Sequence, residues 1–279
     1  MSQQHATTRR RLLGGVAAAS SAALAGCTSM TPFVGQQLEE TKTIDPNGAQ
    51  RLSIAGEVGT VVAAGSERET IQAAIEKQSS SLRTDLEQFV LEADRHDRTL
   101  ELQSVYTADT GWFESEPTMD LDLEIPYQLP LDRIDTSVGG ITVRDVTGDL
   151  TLTASTGAVD VRGVDGSVGA ETSTGRIEIR DVERLNDVRA STGRVAVDVP
   201  AIDGDTVITT STGAIEAVIS PDLDAELEVE TNTGDVDVDI PGLEREDSVV
   251  GDGVRGTLGD GGPRLRIETS TGRVAVKSF

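Results

Sequence analysis

Chemistry-bearing residues are scarce in this 279-residue chain, which has one cysteine, two histidines, one tryptophan and three lysines. The lone Cys27 excludes an intramolecular disulfide, so stability has to come from packing. His5 falls in a stretch that reads as a removable leader, which leaves His96 alone between Arg95 and Asp97 on an expected solvent-facing turn. Without a histidine cluster or paired thiols, Ser-His-Asp, Cys-His and zinc sites are excluded. No phosphate loop or dinucleotide fingerprint is present either, and no catalytic residue, metal site or cofactor is expected. Basic charge is short as well: 24 Lys and Arg face 48 Asp and Glu, a net of −24. That balance excludes nucleic acid and an anionic headgroup surface as partners.

Uncharged apolar sequence is confined to one short run. Arg9, Arg10, Arg11, Leu12 and Leu13 precede a small-residue stretch from Gly14 to Gly26, too short for the roughly 20 apolar residues of a bilayer-spanning helix. A basic start, a short apolar region and a small-residue end predict a secretory signal, and Arg9 and Arg10 ahead of Leu-Leu fit its twin-arginine form. Leu24-Ala25-Gly26-Cys27 resembles the lipobox of bacterial and archaeal lipoproteins, which implies lipidation of Cys27. Because a single acyl chain binds membranes only marginally, firm anchoring requires a two-chain lipid. The expected plan is a signal over 1–26, a tether over 27–42, an irregular β region or cap over 43–130 and regular repeats over 131–279. Removing residues 1–26 takes away three arginines and no acid, moving the net charge from −24 to −27. Solubility needs only a magnitude of about 2–8. A lysine-poor, acidic surface of this kind resembles proteins of salt-loving archaea, in which concentrated salt shortens the screening length to about 3 Å.

What the chain has in abundance is repetition. Ser-Thr-Gly ends at Gly157, Gly175, Gly193, Gly213 and Gly272, with variants ending at Gly139 and Gly234. The steps between these glycines are 18, 18, 18, 20, 21 and 38 residues, the last close to two periods. After each glycine, apolar and polar residues alternate, as in Val159-Asp160-Val161 and Ile177-Glu178-Ile179, the mark of a half-buried strand. A turn and a second strand lead to the next triplet. So short a repeat leaves no room for a crossover helix. The prediction is an all-β, parallel β-helix-like solenoid of 18–21-residue coils, two short strands per coil, with consecutive coils stacked in chain order.

Residues 43–130 are less regular. Arg51 to Ala64 reads as a degenerate coil, and 69–77, 86–93, 99–105 and 119–125 as strands, although 70–77 and 82–93 also fit an amphipathic helix. The triplets at 18–21-residue spacing, the degenerate upstream coil and Ile125-Pro126 before the first regular coil together resemble the bacterial and archaeal putative-adhesin β-solenoid family, over roughly residues 45–279. That resemblance implies a solenoid, often behind a lipoprotein or membrane anchor, and brings no catalytic residues.

Three surface features invite a functional reading. Asp160 with Glu178, and Glu216 with Asp237, are carboxylates that repeat alignment could stack, as glycoside hydrolysis or calcium binding would need. An outward acidic face explains them better, and Ala196 and Ala275 interrupt the row. The Ser-Thr-Gly ladder reads as turn chemistry, with glycine supplying a positive φ and the hydroxyls satisfying backbone groups. Tyr106, Trp112 and Phe113 gather three of the seven aromatic residues into a candidate contact patch or a cap. Asp252-Gly253 and Gly259–Gly262 read as a loop. The function these features predict is a non-enzymatic cell-surface lipoprotein, held to the outer face of the membrane through Cys27 and presenting the solenoid as a structural or adhesion/interaction module, with an envelope protein or glycan as the candidate partner. A solenoid carbohydrate-active enzyme and an envelope-stress scaffold are the alternatives.

Overall fold

The computed structural model describes residues 35–107, 117–245 and 253–279. The expected signal with Arg9 and Arg10, the lipidation site Cys27, the loop residues Trp112 and Phe113, and Asp252 lie outside them. In the first half, the strands are β1 (Gln36–Ile44), β2 (Arg51–Val58), β3 (Val61–Ser66), β4 (Ile71–Ser79), β5 (Phe89–His96), β6 (Thr99–Tyr106) and β7 (Thr118–Pro126). The regular coils follow as β8 (Leu131–Val138), β9 (Ile141–Thr147), β10 (Leu150–Thr156), β11 (Val159–Thr174), β12 (Ile177–Thr192), β13 (Val195–Val199), β14 (Thr206–Thr212) and β15 (Ile215–Ile219). The series closes with β16 (Ala225–Thr233), β17 (Val236–Asp239), β18 (Glu244–Arg245), β19 (Val254–Leu258), β20 (Arg264–Thr271) and β21 (Val274–Ser278).

The alternating pattern folds as expected into a β-solenoid. Each coil places one strand on each of two faces, and every coil-to-coil pairing is parallel. Inward side chains from both faces, such as Leu152, Val159, Ile177, Val188, Ile208 and Ile215, form one continuous buried core. A single coil of this size cannot bury its apolar face, so each depends on its neighbours. In β11 and β12 the strand continues round the corner between the faces as one 16-residue element, where two short strands were expected. Left-handed residues allow the bend: Gly163 at φ 70° in β11 and Asp181 at φ 53° in β12, beside Asp145 at φ 51° in β9. Aspartate is among the few side chains that tolerate this region.

Spatial order departs from chain order at both ends. β20 lies between β14 and β16, and β21 between β15 and β17. The coil at 264–278 is thus inserted between two earlier ones. The 38-residue step between Gly234 and Gly272 fits two periods, but the chain spends part of it on the antiparallel strands β19, which pairs with β16, and β18, which pairs with β19. At the other end β2 and β3 stack between β6/β7 and β8/β9.

The expected cap region is part coil and part cover. β6/β7 and β2/β3 are full coils, while β1, β4 and β5 add antiparallel strands. Residues 71–79 are strand, and within 82–93 a short 3-10 turn (Leu86–Gln88), capped by Asp85, leads into β5. The tether expected over 27–42 is strand from Gln36 onward, because the polar residues of β1 alternate with Leu38 and Ile44 and pair along β4. His96 ends β5 in an exposed position beside the turn at Asp97. Gly259–Gly262 form a turn pinned by Asp224, whose Oδ1 accepts from the Asp260 N–H at 2.9 Å.

Candidate interaction surface

The repeat glycines form a column along one corner, in the spatial order 59, 139, 157, 175, 193, 213, 272, 234. A Cβ on Gly157 would sit 1.8 Å from the carbonyl oxygen of Gly139, one on Gly193 1.7 Å from that of Gly175, and one on Gly272 1.8 Å from that of Gly213. Most of these glycines also have positive φ, although Gly175 is excluded from substitution by proximity alone. Backbone hydrogen bonds run unbroken round the corner: Gly157 N–H donates to Thr174 O at 2.9 Å and Val159 N–H to Arg176 O at 2.8 Å. The glycine half of the expected turn chemistry therefore holds, with close approach as the stronger reason.

The hydroxyl half does not hold as expected. The Ser and Thr of each triplet are exposed, as at Ser173 and Thr174 or Ser191 and Thr192. The groups that reach the corner carbonyls are the threonines just before the triplet: the buried Thr172 to Gly157 O at 3.4 Å, Thr210 to Gly193 O at 3.3 Å and Thr269 to Gly213 O at 3.3 Å, and the half-buried Thr231 to Gly272 O at 3.2 Å. The triplet hydroxyls instead line the outside of the corner, with Thr156, Thr174, Thr192, Thr212, Thr271 and Thr233 in lateral register.

On the face built from β9, β11, β12, β13 and β15, Asp160 and Glu178 are register partners, as repeat alignment predicts. Arg176 reaches both, at 3.5 Å and 3.8 Å, and Arg180 Nε donates to Glu178 at 3.0 Å. The Arg180 hydrogen bond, followed by nearby arginine charges, holds the Glu178 carboxyl below the usual carboxylate range despite some burial. A glycosidase acid needs a raised pKa, and this carboxylate is driven the other way. Glu216 and Asp237 do not meet: each pairs with Ala275, because the inserted coil separates them. Glu216 is bound instead by Arg194. Asp198, 14% exposed, is pushed up chiefly by burial and held back by Arg180 at 3.6 Å. Among the described residues no group of three His, Cys, Asp or Glu could hold a metal ion.

Ion pairs of this kind brace neighbouring coils, as in Arg162 with Asp181 and Arg266 with Glu230, while Arg184 reaches Asp149 two coils away, past Ser167. At the other corner carboxylates accept backbone N–H groups from the next coil. Asp149 Oδ1 accepts from Ser167 N at 3.0 Å and Ser167 Oγ at 2.8 Å, which lowers the Asp149 pKa. Asp187 accepts from Val207 N and Asp205 from Arg264 N, both at 2.8 Å. Tyr106, the described member of the aromatic patch, is half-buried with its ring edge-on to Phe89 at 5.8 Å between centroids.

Sequence reasoning missed one buried charge. Lys77, 2% exposed, points inward from β4 and donates to Glu40 Oε2 at 2.8 Å. Lys42 also approaches Glu40, at 3.4 Å, and donates to Leu91 O at 3.2 Å, tying β1 to β5 on the opposite face. The Lys77 hydrogen bond lowers the Glu40 pKa against the opposing effect of burial. Its visible signal was a lysine in register with Ile71, Ala73 and Ile75 on the apolar side of an alternating strand.

The parallel ladders, the glycine corner and the coil length can be set beside known proteins. A family model described as Toastrack DUF4097 matches residues 118–277, more than half of the chain. The chain belongs to that family. The Toastrack match begins at β7 and takes in all the regular coils together with the inserted one. No curated protein matches the chain. Among solved structures, a putative cell adhesion protein from Clostridium sporogenes is similar at 14% identity, covering 88% of this chain and 100% of its own, with a TM-score of 0.34. A putative adhesin from Bacteroides fragilis matches at 14% identity over 88% of this chain and 97% of its own, TM-score 0.35. A putative lipid binding protein from Parabacteroides distasonis matches at 10% identity over 86% and 96%, TM-score 0.38. Among the described residues no helix is long and apolar enough to cross a membrane.

Proposed function

We propose that the chain is a non-enzymatic interaction module of the cell surface, exported through its twin-arginine signal, anchored by lipid on Cys27 and presenting an acidic Toastrack solenoid to an envelope protein or glycan. The observation that carries this reading is Arg176 lying between Asp160 and Glu178. The best-aligned carboxylates of the coil wall are engaged in ion pairs, on a face of uniform short coils that offers display area in place of a cleft. The adhesin names of the similar proteins agree with this reading. Trp112 and Phe113, close to Tyr106 in the sequence, are the proposed contact, since aromatic residues carry much of the energy of binding surfaces. Mass spectrometry of the membrane fraction tests the anchor, with a lipid-bearing peptide beginning at Cys27 expected and none for Cys27→Ser. A screen of envelope glycans tests the chemistry. No turnover is expected, and specific hydrolysis lost in Asp160→Asn or Glu178→Gln would replace this reading with that of a carbohydrate-active enzyme.

A further inference from the structure

The inserted coil at 264–278 occupies a slot whose two walls come earlier in the chain: β14 and β15 on one side, β16 and β17 on the other. Both walls are complete at Asp239, before the coil begins at Arg264. Its fit on both sides is full. Gly213 N–H donates to Thr271 O and Ile215 N–H to Arg273 O on one wall, and Gly272 N–H donates to Thr233 O and Val274 N–H to Asp235 O on the other, all at 2.9 Å. Leu265, Ile267, Val274 and Val276 are each 0% exposed, completing the core between the walls. Arg264 N–H is received by Asp205, and Thr269 donates to Gly213 O.

We infer that this slot takes the coil 264–278 of a second copy of the chain as well as its own. The contacts that seat the coil are all to the walls, and the turn Gly259–Pro263 joins it to β19. That turn holds left-handed glycines at 259 (φ 55°), 261 (φ 74°) and 262 (φ 147°), and opening it gives up only local hydrogen bonds, from Asp260 N–H to Asp224 at 2.9 Å and from Gly261 N–H to Leu258 O at 3.0 Å. A coil from another copy would therefore make the same ladder, the same core contacts and the same ion pairs, which is the condition under which exchange between copies is cheap. During synthesis the walls precede the coil, so an open slot exists before the chain's own coil can fill it, and repeat proteins misassemble by this route. The inference rests on the strand order alone and is independent of the proposed anchoring and partner.

Thr212 and Thr271 are exposed register partners across the slot, which makes the exchange visible. Chains spanning 27–279 with Cys27→Ser carry either Thr212→Cys or Thr271→Cys. The two are unfolded and refolded together at increasing concentration, then treated with a short bismaleimide. A covalent heterodimer whose yield rises with concentration is expected, while both cysteines in one chain close within that chain in dilute solution. A parallel mixture of Thr156→Cys with Thr271→Cys, which do not face one another across the slot, should give several-fold less heterodimer. The inference is overturned if the two-cysteine chain closes on itself while the mixture stays monomeric at every concentration, or if the Thr156→Cys mixture crosslinks equally well. Failure of the two-cysteine chain to close would remove the slot itself.

Discussion

The carbonyl oxygen of Gly157 lies 1.7 Å from the point that a Cβ on Gly175 would occupy. The distance is set by the stacking of coils and not by the conformation of Gly175, whose φ is outside the left-handed range. Gly204 is the reverse case, with φ at 104° and nothing within 4 Å of its virtual Cβ. Gly175→Ala is therefore expected to destabilise by more than about 3 kcal/mol, because two backbones must separate. Gly204→Ala should cost about 1–2 kcal/mol of local strain. Denaturant midpoints of the two variants check the order, and equal losses would mean that coil spacing adapts more readily than the column implies.

The buried lysine yields an asymmetric pair of substitutions. Glu40→Ala removes the acceptor from an ammonium that is 2% exposed, and leaving a buried charge unpaired costs about 3–5 kcal/mol. Lys77→Met fills the same volume with an apolar side chain and leaves Glu40, 34% exposed, beside Lys42. It should be nearly neutral or stabilising. Thermal unfolding of the two variants compares them directly.

Acid should unfold the chain through identified groups. Glu40, Asp149 and Glu178 have folded pKa values below their ordinary ones. Their contribution is fully present above the ordinary carboxylate pKa and is lost as the pH falls through the lower folded values. Asp198 runs the opposite way: its raised pKa makes its ionised form a cost to the fold at neutral pH. Asp198→Asn should therefore stabilise at pH 7, with the gain shrinking as the pH falls through the folded pKa of Asp198 and gone below the ordinary aspartate value. Unfolding curves across pH read both effects.

With a net charge of −24, and −27 without residues 1–26, self-repulsion opposes the compact state. The exposed ion pairs that salt also screens are worth little individually, about 0–1 kcal/mol. Repulsion should win, so the unfolding midpoint is expected to rise from dilute to molar salt. A midpoint that does not move would show that the surface pairs compensate the excess charge.

The repeat was legible because its glycines answer to a local demand. A residue without a Cβ is required at the same corner of every coil, so Gly139, Gly157 and Gly175 recur at the coil period. Strand faces were legible from Val159-Asp160-Val161 and its equivalents for the same reason. Stacking order was not, since Gly234 and Gly272 satisfy the same corner whichever neighbour each meets, and the insertion shows in three-dimensional pairing, as of Thr271 with both Thr212 and Thr233. The corner hydroxyls were not legible either, because Thr172 and Thr210 lie one residue before the recurring triplet and their burial depends on packing. β1 escaped because its inward side mixes Leu38 and Ile44 with Glu40 and Lys42, and Glu40 is paired both with Lys42 and, across strands distant in sequence, with Lys77.

The proposed function requires the solenoid to bind a component of its own envelope without altering it. Beads carrying the folded chain, incubated with native envelope in molar salt, test it directly. Saturable retention that is lost in Trp112→Ala/Phe113→Ala, with the envelope glycans unchanged in mass, is the predicted result. Absence of saturable retention, or retention accompanied by shortened glycans, would contradict it.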